Sequence, residues 1–226
     1  MESKAYEYMD WPRIEAVVYG EEASPKDVMA PRLTTDGVLI QGFFPEADKA
    51  EVLVGSRKYE MEQEDEAGYF AAMIPGRKIP DYKYRVTKGE ETKEFADPYA
   101  FSGQITEAEE KAFCAGVYYH AYEKLGAHPM EINGVKGTSF AVWAPNAMRV
   151  SVVGDFNAWD GRCHAMHRMP MSGIFELFIP GVKAGDIYKY ELKLKGNRIE
   201  LKSDPYAACT EVPPANASVV ADTSVF

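Results

Sequence analysis

The chain says the same thing twice, and no single motif limits its architecture as much as that duplication does. In the first half Phe44-Pro45, residues 50–55 (AEVLVG), Gly68-Tyr69-Phe70, Pro75-Gly76, Tyr82-Lys83-Tyr84 and Asp97-Pro98-Tyr99-Ala100 follow one another. In the second half Ala144-Pro145, residues 149–154 (RVSVVG), Gly173-Ile174-Phe175, Pro180-Gly181, Tyr188-Lys189-Tyr190 and Asp204-Pro205-Tyr206-Ala207 appear in the same order. The offset drifts only from 100 (Pro45 to Pro145) to 107 (Asp97 to Asp204). A period this long indicates two copies of a whole domain, since solenoid repeats are much shorter. The expected division is 1–102 and 103–226.

Within each copy, short runs of alternating apolar and polar residues are separated by Gly, Pro and Asp turns, the pattern of an antiparallel β-sandwich. The fold class expected is therefore all-β: two tandem immunoglobulin-like sandwiches, each with a short helical lead-in. The lead-ins are Ile14, Val17 and Val18 before Gly20, and Ala112, Phe113 and Val117 around Gly116, short apolar faces ended by glycine. Residues 107–114 are expected to form a hinge between the domains, with their charges on a solvated face. The clearest strand is 187–195, with Tyr188, Tyr190, Leu192 and Leu194 on one face and Lys189, Glu191, Lys193 and Lys195 on the other. Its counterpart sets Tyr82, Tyr84 and Val86 opposite Lys83, Arg85 and Thr87. The tyrosine faces are core, and alternation alone makes Lys189 a solvated lysine on the outer face.

Residues 139–160 (SFAVWAPNAMRVSVVGDFNAWD) read as two half-buried strands and a displayed loop. Phe140 and Val142 alternate with Ser139, Ala141 and Trp143; after a Pro145-Asn146 turn, Val150 and Val152 alternate with Arg149, Ser151 and Val153, and the strand ends at Gly154. The loop that follows has turn composition, yet carries Trp159 at its tip. Either the indole folds back and plugs the end of a sandwich, or it lies open as a stacking platform for a flat apolar face such as the C–H face of a glucose unit.

Composition narrows the function classes. With 46% hydrophobic and 27% charged residues the chain is of the soluble globular kind, and 226 residues suffice for two ordinary domains. The net charge is -10, and the dense charge runs, 60–66 and 107–111, are acidic or mixed, so a nucleic-acid surface is not expected. The first residues lack the basic region and apolar core of a signal peptide, and no stretch approaches the ~20 apolar residues of a membrane span. A cytoplasmic protein without a membrane partner is expected. Cys114, Cys163 and Cys209 show no C-x-x-C pair and read as free thiols. His164 and His167 beside Cys163 lack a helix pattern or a matching carboxylate, so no metal and no cofactor is expected.

Four segments together resemble a known family: HAYEKLGAHPM at 120–130, GTSFAVWAPNAMRVSVVGDFNAWDG at 137–161, GIFELFIPGVKAGDIYKYEL at 173–192 and LKSDPYA at 201–207. They look like the amino-terminal part of 1,4-α-glucan (glycogen) branching enzymes, over residues 112–220. The resemblance implies a β-sandwich carbohydrate-binding module of family 48, placed before an α-amylase-type (β/α)8 barrel. Residues 1–102 resemble the additional, degenerate module that some bacterial members carry in front. By the same resemblance Trp159 stacks on a glucose ring, Lys189 donates to sugar hydroxyls, and Asn157 and Asp155 shape the loop and reach hydroxyls. The chain departs from several relatives in having Asn197, Arg198 and Ile199 where they have a second tryptophan.

One indole face covering ~60 Å² of sugar contributes on the order of 1.5 kcal/mol, so affinity from this residue alone is millimolar or weaker. Useful affinity needs a second site on the same glucan. The first module, with Tyr59 after a shorter turn, does not supply one and reads as a spacer or packing domain. Branching with retention needs a nucleophilic carboxylate and a carboxylic acid about 5 Å apart. In this family both stand on the barrel, and Glu64-Asp65-Glu66 and Glu109-Glu110 lie in polar runs expected to leave their pKa values ordinary. The resemblance thus makes the chain a non-catalytic front that binds or positions α-1,4-glucan for an intramolecular barrel. The alternatives are the front of a debranching or trehalose-forming relative, a glycogen-targeting subunit, and packing domains that bind no glucan.

Overall fold

The computed structural model describes residues 4–222. The chain forms two compact units, one from the residues up to Gly20 with Pro25–Ala100, the other from Glu21–Ser24 with the residues from Phe101 onward. In the first, the helices α1 (Trp11–Val18) and α2 (Lys26–Met29) precede eight strands, β1 (Arg32–Leu33), β2 (Val38–Phe43), β3 (Lys49–Val54), β4 (Arg57–Glu60), β5 (Glu62–Asp65), β6 (Tyr69–Ile74), β7 (Lys83–Lys88) and β8 (Glu91–Phe95). They make two four-stranded antiparallel sheets, β1-β2-β6-β5 and β4-β3-β7-β8. Between them lies a core that includes Val38, Ile40, Val52, Phe70 and Tyr84. Ile14, Val17 and Val18 of α1 are buried, and Gly20 closes the helix at a positive φ of 63°.

The second unit begins with α3 (Glu107–Cys114) and continues with β9 (Gly126–Ile132), β10 (Val135–Trp143), β11 (Arg149–Gly154), β12 (His167–Arg168), β13 (Ile174–Pro180), β14 (Ile187–Leu194), β15 (Arg198–Lys202), β16 (Cys209–Thr210) and β17 (Ser218–Val219). One sheet runs β12-β13-β10-β9 and the other β11-β14-β17-β16, with β15 also on β14. The two units are sandwiches of one class, and their registers repeat: Val52 faces Tyr84 and Val152 faces Tyr190, while Gly42 faces Phe70 and Val142 faces Phe175. The duplication read from sequence is a duplication of strand pairing.

The same repetition explains the Tyr-Lys-Tyr and Asp-Pro-Tyr-Ala landmarks. In the first unit Tyr82 donates its hydroxyl to Asp97 Oδ2 at 2.5 Å, the Tyr84 hydroxyl is shared between Gln41 O at 2.6 Å and Asp97 Oδ2 at 3.0 Å, and Tyr99 N donates to Asp97 Oδ1 at 2.8 Å. In the second, Tyr188 and Tyr190 donate to Asp204 Oδ2 at 2.6 and 3.3 Å, and Tyr206 N donates to Asp204 Oδ1 at 2.8 Å. Each sandwich thus buries one carboxylate whose oxygens are satisfied by two core hydroxyls and the following turn. Burial pushes Asp97 up to about 6, although the hydrogen bonds from Tyr82, Tyr99 and Tyr84 favour its charged form.

An aspartate in the unfolded chain ionises near 3.8, so between about pH 4 and 6 the folded protein holds the additional proton. The contribution of Asp97 therefore stabilises as pH falls through 6 and is lost as pH rises through it, by at most about 3 kcal/mol. Urea unfolding of the wild type and of Asp97→Asn at pH 5 and pH 7 measures this. The gap between the two proteins is expected to shift in favour of the wild type at pH 5, and parallel behaviour would mean that Asp97 ionises in the fold as it does in water.

The lead-in of the second unit differs from the expectation. Glu107–Cys114 does not act as a hinge; it is docked on its own sandwich. Thr106 and Glu109 form a capping box, the Thr106 side chain accepting from Glu109 N and Glu109 Oε2 accepting from Thr106 N at 2.8 Å. Glu110, 1% exposed, accepts from Met171 N, Ser172 N and Ser172 Oγ, each at 2.9 Å. Phe113 meets Trp143 edge to face at 5.9 Å. Val117, counted with the apolar face, is instead exposed. A turn beginning at Gly116 (φ 72°) carries the chain away before Val117 can reach the sheet.

Candidate functional site

The loop after β11 is built by its own polar side chains. Gly154 comes so close to β14 that a Cβ there would stand 2.4 Å from Ile187 O. Asn157 accepts from Gly154 N through Oδ1 at 3.0 Å and donates through Nδ2 to Val152 O at 2.8 Å, with His164 Nδ1 at 2.9 Å from the same nitrogen. Burial lowers the His164 pKa to about 4, so the ring is neutral at pH 7 and its Nδ1 accepts that amide hydrogen. Ala158 and Trp159 follow at φ 53° and 61°, two successive non-glycine residues in the left-handed region, a local strain that only a well-held loop sustains.

Trp159 is half-buried, neither sealed in the core nor standing free. Its backbone N donates to Gly154 O at 3.0 Å, and its indole Nε1 donates to Oδ1 of the exposed Asp155 at 2.8 Å, which fixes the ring. Lys189 faces Val153 across the sheet, one residue before the loop departs at Gly154. On the other edge of β14, Tyr188 pairs with Ser218 of β17 and Tyr190 with Lys202 of β15, so Lys189 stands at the seam where the sheet changes partner. There Lys189 Nζ donates to Asn216 Oδ1 at 2.5 Å, and Ser203 Oγ donates to Asn216 O at 2.5 Å. Asn216 showed in the sequence only as part of an Asn-Ala-Ser triplet, and nothing there tied it to the lysine.

The outer face of β11 and β14 is not the solvated face that alternation predicts. Arg149, Ser151, Val153 and Lys193 are all buried; Gly161 lies against Arg149 and Glu191, and the following residues pair along the edge of β11, where Ser151 bridges Ala165. Arg149 donates to Ser151 Oγ and Gly161 O in short contacts and to Glu191 Oε1 at 2.6 Å. Lys193 pairs with Glu21 Oε1 at 3.0 Å. The β15 side of this face is open. Ile199 and Leu201 pair with Lys193 and Glu191 and are more than half or about half exposed, a small apolar strip in the next strand to Lys189.

Among its described residues the first unit shows no such loop. Val54, Gly55 (φ 56°), Ser56 and Arg57 form a two-residue hairpin where the second unit has its long loop, and β4 returns directly along β3. Tyr59, the counterpart considered for Trp159, pairs with Val52 and packs against the core. Glu109 and Glu110 of α3 serve structure, and their pKa values depart from the ordinary ones expected. The Thr106 N–H holds the Glu109 carboxyl below its usual range. Burial alone would raise Glu110, but the Ser172 and Met171 donors outweigh it and lower it. Among the described residues no three His, Cys, Asp or Glu side chains stand together as a metal site, and no helix is long and apolar enough to cross a membrane.

Residues 124–207, which hold this loop and the seam, match the family described as Carbohydrate-binding module 48 (Isoamylase N-terminal domain). Residues 10–99 match the family described as alpha-1,4-glucan branching enzyme GlgB, N-terminal domain. Two curated relatives named 1,4-alpha-glucan branching enzyme GlgB span both units. The one from Cereibacter sphaeroides is 43% identical over 96% of this chain, and the one from Synechococcus elongatus 40% over 93%. The chain belongs to this family as the amino-terminal region of branching enzymes of the GlgB type. It spans 30% and 28% of the length of those two relatives.

Proposed function

We propose that the second unit binds α-1,4-glucan on the face formed by Trp159 and Lys189 and positions it for the catalytic part of a longer protein that branches glycogen. The observation that carries this reading is the half-buried indole, fixed by Asp155 on the loop that leaves β11 at Gly154, directly after the Val153–Lys189 pair of the β11–β14 ladder. Trp159 supplies the stacking surface, Lys189 a donor to sugar hydroxyls, and Asp155 both fixes the ring and keeps an exposed carboxylate at its edge. Asn157 holds the loop in shape, since both ends of its amide bond to the protein. The first unit acts as a spacer, because its Tyr59 lies against the core.

Affinity electrophoresis through glycogen-containing gels tests the reading. The wild type is expected to be retarded weakly, and Trp159→Ala to lose about tenfold in association, the ~1.5 kcal/mol of one covered indole face. Equal mobility of both proteins with and without glycogen would make the sandwiches packing domains only. The same preparation is expected to leave the iodine colour of amylose unchanged, because retention requires a free carboxylate pair and Glu109 and Glu110 are taken up by the helix cap and by Ser172. A fall in that colour would place transfer chemistry within these residues.

A further inference from the structure

Arg149 is 2% exposed at the start of β11, and a guanidinium is almost never buried so fully without a specific partner. The strand does not need it, because the β11–β14 ladder pairs the backbone from Arg149 to Gly154. Its donors go to Ser151 Oγ, to Glu191 Oε1 at 2.6 Å on the neighbouring strand, and to Gly161 O, two residues beyond Trp159. Gly161 is fitted to this contact, since a Cβ there would stand 2.0 Å from Glu191 Oε1. An apolar pair could pack a sandwich equally well, so stability alone gives no reason for a buried Arg–Glu pair. What the pair adds is a fixed attachment for the loop.

We infer that Arg149 is a positioning residue for Trp159, holding the far end of the displayed loop on the outer face of the sheet while Asn157 holds the near end. Between these two anchors Ala158 and Trp159 keep their left-handed backbone, which would relax if either end were released. The consequence for binding rests on the reading of Trp159 as a glucan platform; the mechanical role does not.

The test uses the full chain with Arg149→Met combined with Glu191→Gln, which leaves no buried charge without its counter-charge. Native-state amide exchange is expected to be at least about tenfold faster at Trp159, Asp160 and Cys163, with Tyr188 and Tyr190 of β14 unchanged. Glycogen retardation is expected to fall to the level of Trp159→Ala. Arg149→Lys, which keeps the charge but loses the two-nitrogen fork that joins Gly161 O to Glu191, is expected to give a smaller loosening at the same three amides. Unchanged exchange in the loop, or acceleration spread equally through β14, would overturn the positioning role. A loosened loop with undiminished retardation would overturn its link to binding. If the wild type is not retarded while the loop still loosens, the glucan reading fails and the anchoring role stands.

Discussion

Asp204→Ala is expected to destabilise the second unit by about 3–5 kcal/mol, since each buried donor left without an acceptor costs on the order of 1–3 kcal/mol. Three donors lose this acceptor at once, the Tyr188 and Tyr190 hydroxyls and the Tyr206 N–H, and of these the Tyr190 hydroxyl keeps a long contact to Ala141 O at 3.4 Å. Both tyrosines are at most 1% exposed, so water cannot readily replace the carboxylate. Burial, with the Asp204 charge beside them, holds both hydroxyls well above the usual tyrosine range, and they stay protonated donors at any working pH. Urea unfolding followed by tryptophan fluorescence in a Trp11→Phe background reads the second unit, where Trp143 and Trp159 lie. Tyr188→Phe is expected to cost only about 1 kcal/mol, because it removes a donor and leaves Asp204 two others. A loss below about 1 kcal/mol for Asp204→Ala would mean that the three donors are satisfied in some other way.

That network shows what could be read from sequence and what could not. The Tyr-Lys-Tyr and Asp-Pro-Tyr-Ala segments were legible as repeated landmarks and the tyrosines as core, because a period of two assigns a strand its faces. Nothing in the pattern told that the aspartate, 14 or 16 residues further on, closes onto those hydroxyls. The displayed loop was legible too, through its turn composition and Trp159. Its anchors were not. Alternation says that Arg149, Ser151, Glu191 and Lys193 share the outer face, but whether that face is wet depends on which distant residues meet it, and here Gly161 meets Arg149 and Glu21 meets Lys193. The Glu107–Cys114 helix was misjudged for a related reason. Three carboxylates and a lysine suggest solvation, yet the Thr106–Glu109 capping box was a readable start signal and Glu110 lies on the side that meets Ser172.

Removing that carboxylate tests how firmly the helix belongs to the second unit. Glu110→Ala leaves Met171 N, Ser172 N and Ser172 Oγ without their acceptor and is expected to cost about 2–4 kcal/mol, as hydrogen bonds to a charged group are each worth roughly 1.5–3 kcal/mol and do not add fully. Glu110→Gln keeps an acceptor oxygen in place and is expected to recover more than half of that loss. The sign of the pH effect follows from the lowered pKa. The contribution of Glu110 is complete above its unfolded value of 4.5 and is lost as pH falls through its lower folded value, the opposite direction to Asp97. Amide exchange across Glu107–Cys114 is the direct measurement, and the Trp143 emission is a second, because undocking removes the Phe113 edge from the indole. Helix amides as slow in Glu110→Ala as in the wild type would show that Phe113 and the small core of Ile105, Leu125 and Ile174 hold the lead-in without help from the carboxylate.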